Sequence, residues 1–171
     1  MKKYLITATP SYLQLRKHMP DFALYRDKEN KNYARDAQNF VQMCKTLKTL
    51  KVFLHQDYRL AKKLDADGVH LTSQQFGDII QAKALGLDVI ISTHTHDEVE
   101  RAKSMGADYV TYSPIFATPN KGEPKGISAL EEIVNMTDMK IFALGGIVSQ
   151  QEVDAVAKTG VYGFASIRYF L

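Results

Sequence analysis

The chain has 171 residues, 45% of them hydrophobic and 24% charged, the composition of a soluble globular protein with enough apolar material for a real core. That composition excludes a disordered, collagen-like or membrane-spanning chain. Twenty-two Lys and Arg against 19 Asp and Glu leave a formal charge of +3, too small and too evenly spread to mark a nucleic-acid surface, yet suited to a small anionic ligand.

The first apolar run, residues 3–7, reads as a strand. Its core Tyr4-Leu5-Ile6 stops at Thr7-Ala8-Thr9-Pro10, well short of the ~7–15 apolar residues of an export signal. From Pro10 to Asp21 there is room for only a turn or two of helix before a second strand at 22–25. Residues 33–50 then place Phe40, Met43, Cys44, Leu47 and Leu50 on one helical stripe. Cys44, the only cysteine, reads there as a small buried hydrophobe. With no second cysteine there is no internal disulfide framework and no multi-cysteine zinc site, and a reducing cytoplasm is the simplest setting.

The same alternation continues to the end of the chain. Strand patterns at 52–55, 68–71, 89–93, 109–112, 141–144 and 163–167 are separated by helical stripes at 58–64, 76–85, 96–105, 130–134 and 153–157. Asp97 is placed to cap the helix over 96–105, and Ser149 with Glu152 forms a capping-box pattern. After the last strand only Arg168-Tyr169-Phe170-Leu171 remains. Strands alternating with helices predict a parallel sheet wrapped by helices. Ala66-Asp67-Gly68-Val69 recurs as Ala107-Asp108-Tyr109-Val110, and more loosely around Thr159-Gly160, which favours a quasi-symmetric (β/α)8 TIM barrel over an open sheet.

Length argues the other way, because such barrels typically need about 250 residues. The alternation locates the deficit: a short first helix and a missing last helix, within a single pared-down barrel domain spanning 1–171. In a closed barrel the first and eighth strands are neighbours, so both gaps fall on one flank. This predicts an exposed hydrophobic patch there, and with it a homo-oligomer.

Function in a barrel of this kind sits at the C-terminal ends of the strands. The second strand ends Tyr25-Arg26-Asp27-Lys28, and strand alternation lets Arg26 and Lys28 converge on one anion. His55-Gln56, His70-Leu71-Thr72-Ser73-Gln74-Gln75 and Ser92-Thr93-His94-Thr95-His96 follow the next three strands. These hydroxyls, imidazoles and amides suit a heterocycle or a phosphate better than a metal; His94 and His96 lack a signalled third ligand, so no metal ligand is assigned. The segment 113–126 is long and punctuated by Pro and Gly, as binding loops and lids are, and carries Thr118, Asn120 and Lys121. Gly145 and Gly146 after the seventh strand let backbone approach a ligand closely, although a tight turn needs glycine whether or not phosphate binds.

Taken together, Tyr4-Leu5-Ile6-Thr7, Tyr25-Arg26-Asp27-Lys28, Ala66 to Leu71, Ser92 to Thr95, Gly106 to Val110, Pro114 to Lys121 and Leu144 to Ile147 resemble the thiamine-phosphate synthase/TenI family. The resemblance implies a barrel that joins hydroxymethylpyrimidine diphosphate to a thiazole phosphate, with loss of diphosphate and help from magnesium. It assigns catalytic roles to Arg26, Lys28, Ser92 and Lys121, the cations and the hydroxyl that meet the diphosphate. It assigns substrate contacts to Thr118 and Asn120 and a backbone phosphate site to Gly145 and Gly146; His55, His70, His94 and Arg168 complete the candidate substrate-binding set. The chain also departs from the family pattern. Leu24 replaces a glutamine, His55-Gln56 an Asn-Asp pair, Gln75 an acidic residue, and Arg168 a serine. Both magnesium carboxylates are thus amides, which lack the negative oxygen that magnesium prefers. The family's second activity, thiazole tautomerisation, resembles acid–base catalysis by a histidine at a position that is Pro114 here. Three readings follow: a synthase, a TenI-like tautomerase, and a non-catalytic barrel that binds a phosphorylated ligand. The partner in each is a small phosphorylated heterocycle, with no nucleic acid and no membrane.

Overall fold

In the computed structural model, which describes residues 1–171, eight parallel strands close on themselves. They are β1 (Lys2–Thr7), β2 (Phe22–Tyr25), β3 (Lys51–His55), β4 (Gly68–Leu71), β5 (Asp88–Thr93), β6 (Tyr109–Tyr112), β7 (Lys140–Leu144) and β8 (Gly163–Ser166). Each pairs with its neighbours in sequence, and β8 returns to β1 through Tyr4 opposite Ala165. Seven helices cover the outside: α1 (Tyr12–His18), α2 (Tyr33–Lys45), α3 (Tyr58–Lys63), α4 (Asp78–Ala84), α5 (His96–Ser104), α6 (Gly126–Met136) and α7 (Gln150–Ala157). This is a pared-down (β/α)8 barrel, with a short first helix and no eighth. No helix is long and apolar enough to cross a membrane.

Alternation along each strand divides the apolar residues between two cores. Outward-facing residues pack with the helices into one cluster, in which Cys44 is fully buried and its thiol is pushed up to about 12 by burial. Inward-facing residues form a second cluster dominated by Tyr4, Phe22, Phe53, Tyr109 and Phe142. Glycine makes room for two of these rings. A Cβ at Gly68 would lie 2.4 Å from the Phe53 ring, and one at Gly163 would lie 2.6 Å from the Phe142 ring. The interior is therefore plugged by aromatic rings.

Local differences from the sequence expectation have local causes. α2 ends at Lys45 with Thr46 as its cap, although Leu47 and Leu50 continue to pack on the core from the following turn. The cap of α5 is Thr95, whose hydroxyl accepts from the Glu98 N–H at 3.1 Å. Asp97 lies in the first turn, where it complements the helix dipole without capping. The Ser149–Glu152 capping box is formed.

At the shortened flank a 3-10 turn, Arg168–Phe170, stands where an eighth helix would lie. The Phe170 ring is buried, stacked on Phe164 at 5.8 Å and edge-on to His18 at 5.4 Å. Gln14 secures the turn by donating its side-chain N–H to the Phe170 carbonyl at 2.9 Å. The exposed patch is narrower than the missing helix suggests, because one aromatic residue covers its centre. Leu13 of α1, its cap Met19 and the terminal Leu171 are largely exposed.

Candidate active site

Above the aromatic plug the inward positions change character. Ile6, Leu24, Leu144 and Ile167, from the neighbouring strands β1, β2 and β7 and the residue after β8, form an apolar wall. His55, His70, Ser92 and His94, from β3 to β5 and the residue after it, form a polar wall opposite. The cavity between them has a volume of about 510 Å³ and opens at the C-terminal ends of the strands. Arg26, Lys28 and Lys121 line its rim, and none of the nineteen lining residues is a carboxylate. Such a cup attracts an anion and leaves a dry face beside it for a flat ring.

The end of β2 is braced before the two cations begin. The Tyr33 hydroxyl donates to the Tyr25 carbonyl at 2.8 Å and accepts from the His55 N–H at 3.1 Å. Asn30 donates to the Tyr25 hydroxyl at 2.7 Å and to Asp36 at 2.8 Å, folding the loop that carries Lys28 back onto α2. His55 is pushed down to about 4, first by burial and then by the charges of Arg26 and Lys28. It is neutral at pH 7 and leaves the positive potential to the arginine and lysines.

His70 is buried and pushed down to about 3, chiefly by burial. Its Nδ1 lies 2.8 Å from the Tyr4 hydroxyl and its Nε2 lies 3.1 Å from Ser92 Oγ. The polar wall is thus tied to the aromatic plug beneath it. His94 Nδ1 donates to the Ser113 carbonyl at 3.0 Å, which fixes that ring against the segment after β6.

That segment is anchored to the end of β7. Ile115 and Phe116 donate their N–H groups to the carbonyls of Leu144 and Gly145 at 2.9 and 3.0 Å. The two glycines serve this packing. A Cβ at Gly145 would lie 2.7 Å from Pro114 Cα, and one at Gly146 would lie 2.6 Å from Phe116 Cβ; both residues also have positive φ. Only Gly145 lines the cavity, whereas Gly146 sits behind the loop. Pro114, Thr118 and Lys121 reach the cavity, with the Thr118 hydroxyl donating to the Phe116 carbonyl.

Nine of the twelve residues expected at the site line one cavity: Arg26, Lys28, Ser92, Lys121, His55, His70, His94, Thr118 and Gly145. Asn120, Gly146 and Arg168 do not. Asn120 takes a left-handed turn conformation, with φ 59, and Arg168 is exposed at the start of the 3-10 turn while Ile167 faces the cavity in its place. Thr72, Ser73, Gln74 and Ser113 also line it without having been singled out one by one. Their polarity at strand ends was the available signal, but which of a run of polar residues turns inward depends on the path of the loop. Gln75 lies outside the lining with both ends of its amide engaged. Its Oε1 accepts from Thr72, and its Nε2 donates to the Gln56 carbonyl at 3.2 Å and to Asp78 at 3.0 Å.

Comparison with known proteins places the chain in a family. The sequence profile of the family described as thiamine monophosphate synthase matches residues 4–170. The chain is 32% identical over 143 residues to the thiamine-phosphate synthase of Vibrio parahaemolyticus, a match covering 77% of this chain and 70% of that protein. It is 31% identical over 159 residues to the thiamine-phosphate synthase of Staphylococcus carnosus, covering 84% and 73%. A solved structure, the thiamine phosphate pyrophosphorylase from Pyrococcus furiosus, superposes with a TM-score of 0.84 at 27% identity, over 97% of this chain and 85% of that one.

Proposed function

Because the chain belongs to the thiamine monophosphate synthase family, with its role in thiamine biosynthesis, we propose that this barrel joins a pyrimidine diphosphate to a thiazole phosphate. The observation that carries the reading is the cavity itself: three cations, no carboxylate and an apolar wall in one cup. In the reaction the bond between the pyrimidine methylene carbon and the diphosphate oxygen breaks, and its electron pair leaves with the diphosphate. The lone pair of the thiazole nitrogen forms the new C–N bond to that carbon. No proton has to move, because the ring nitrogen carries none. Arg26, Lys28 and Lys121 stabilise the charge that grows on the leaving oxygens, and Ser92 donates a hydrogen bond to them. Thr118 and the backbone at Gly145 serve the thiazole phosphate, while His55, His70 and His94 bound the polar side of the pyrimidine.

Magnesium, which the family resemblance brings with it, fits this donor set poorly. At the two expected carboxylate positions stand Gln56 and Gln75, and the Gln75 amide is committed to Thr72, Gln56 and Asp78. Of the nearby carboxylates, Asp57 caps α3 by accepting from the Leu60 N–H at 2.8 Å. Charge neutralisation is therefore assigned to the side-chain cations. A tautomerase reading is disfavoured by Pro114, which stands in the cavity where an acid–base histidine would be needed.

The protein works in this reading as one cytoplasmic barrel domain over residues 1–171, on small phosphorylated heterocycles. It assembles as a homo-oligomer through the flank of the short first helix and the chain terminus, where Leu13 and Leu171 are exposed. The test of the activity is direct: incubate the protein with each substrate singly and with both, with magnesium or with EDTA, and follow products by mass. Thiamine phosphate formed only when both substrates are present is the expected result. Thermal stabilisation by substrate without turnover would replace the reading with that of a phosphorylated-ligand binder.

A further inference from the structure

Tyr4 is wholly buried in the aromatic plug, and its hydroxyl has one polar neighbour, His70 Nδ1 at 2.8 Å. A phenol hydroxyl carries one hydrogen. If Nδ1 were the protonated nitrogen, that hydrogen would be left in an apolar interior with no acceptor, at the cost of an orphaned buried donor. The Tyr4 hydroxyl must therefore donate to Nδ1. His70 is neutral, so its own hydrogen is then on Nε2 and points to Ser92 Oγ, 3.1 Å away. Ser92 accepts from the imidazole and makes no other side-chain hydrogen bond within the protein, so its hydroxyl hydrogen is directed to the cavity.

We propose that Tyr4 is a positioning residue: through His70 it fixes Ser92 as a hydrogen-bond donor toward the anionic group of the ligand. The inference rests on the phosphate-ester reading of the cavity only for the identity of that anion. It carries a second consequence for Ser92. With no lone pair on the imidazole nitrogen facing it, Ser92 has no base to take its proton and is not a nucleophile, despite an order of groups that resembles a Ser–His relay.

Four proteins test this: the unmodified chain, Tyr4→Phe, Ser92→Ala and the double variant. Tyr4→Phe keeps the ring that packs on Phe22, Phe53 and Phe142 and removes only the hydroxyl. Long-range proton–nitrogen correlation spectra of the folded protein report which His70 nitrogen carries hydrogen, with no need for activity. The expected result is the Nε2–H tautomer in every one of them, with the bare Nδ1 resonance moved downfield in Tyr4→Phe, where it loses the hydrogen bond from the phenol. Titration with inorganic diphosphate then reads the consequence. Each single variant is expected to weaken binding about fivefold to tenfold, and the double variant no more than Ser92→Ala alone, as for groups acting in series. The Nδ1–H tautomer in the unmodified chain would overturn the proposal, as would an Nδ1 resonance that does not move in Tyr4→Phe. Failure of diphosphate to bind any of the four would instead count against the assigned function, leaving the spectra to decide the role of Tyr4.

Discussion

The Tyr33 ring lies flat on the Tyr25 ring, with centroids 4.8 Å apart and planes within 4°, and its hydroxyl donates to the carbonyl of the same Tyr25. The first turn of α2 is thereby clamped onto the end of β2, immediately before Arg26. The same hydroxyl satisfies the His55 N–H. Tyr33→Phe keeps the stack and orphans both backbone groups. It is expected to cost about 1–2 kcal/mol in urea unfolding. Diphosphate affinity should fall as well, because Arg26 loses the brace behind it, and an affinity unchanged within error would show that the clamp serves stability alone.

The cations should separate from one another by geometry. Arg26 presents a planar fork to an anion, so Arg26→Lys keeps charge and loses the paired hydrogen bonds. Removing a donor to a developing oxyanion costs about 10²–10³ in rate. Arg26→Ala, Lys28→Ala and Lys121→Ala are each expected to lower kcat/KM toward that extent, with Arg26→Lys recovering only part of it. Salt titration supplies the check. Diphosphate binding by the unmodified protein should weaken as ionic strength rises, and each alanine variant should respond less steeply.

The barrel was largely legible in the sequence because its signal is repeated. Eight strand patterns fell within a residue of the observed ends, since β-branched runs followed by Gly, Pro or Asp mark both edges of a buried strand. The site was legible where its residues close a strand, as with Arg26, His70 and Ser92. It was poorly legible where a loop sets direction. Asn120 and Arg168 are the right chemical types, but one turns away at a left-handed residue and the other lies beyond a chain that has already bent outward at Ile167. Gly146 shows a different limit: its glycine is required, but by Phe116 packed against it rather than by an open cradle. The tie from Tyr4 to His70 spans 66 positions and has no local signature at all.

The requirement at Gly146 can be measured. Gly146→Ala adds a methyl 2.6 Å from Phe116 Cβ and 2.7 Å from the Ala117 carbonyl, at a residue with φ 69. Overpacking and left-handed strain each cost about 1–3 kcal/mol. The loop carrying Thr118 and Lys121 must shift, so KM should rise together with a lower thermal midpoint. A variant that loses activity while keeping its midpoint and its KM would point to direct ligand contact at Gly146 instead.

Two histidines, His70 buried and His55 half-buried, give the fold an acid limit. His55 is pushed down to about 4 and His70 to about 3 from an ordinary 6.5, so the unfolded chain binds protons that the folded one excludes. Stability therefore rises with pH through this window: it falls as pH drops below about 6.5, and the loss continues until the folded-state values are reached. Above pH 7 both groups are neutral in either state and contribute no slope. Thermal midpoints measured from pH 4 to 8 should show this fall, and His55→Gln should flatten it between about 6.5 and 4. A slope unchanged in that variant would assign the acid limit to His70 or to His18, whose imidazole is likewise pushed down by burial.

At the shortened flank one side chain does the work of a helix, and that makes a sharp test. Phe170 is 1% exposed and rests on Phe164 and His18. Phe170→Ala leaves a cavity lined by those rings, and loss of a buried phenylalanine costs about 3–5 kcal/mol. The flank should also become stickier, since Phe164 and His18 lose their cover. The assembly proposed for this surface predicts that the unmodified protein is larger than a monomer by light scattering at micromolar concentration. Leu13→Glu combined with Leu171→Glu should then dissociate it, placing charges on exposed side chains that contribute little to the core. A clean monomer for the unmodified chain would remove the homo-oligomer from the picture and leave Phe170 as the whole answer to the missing helix.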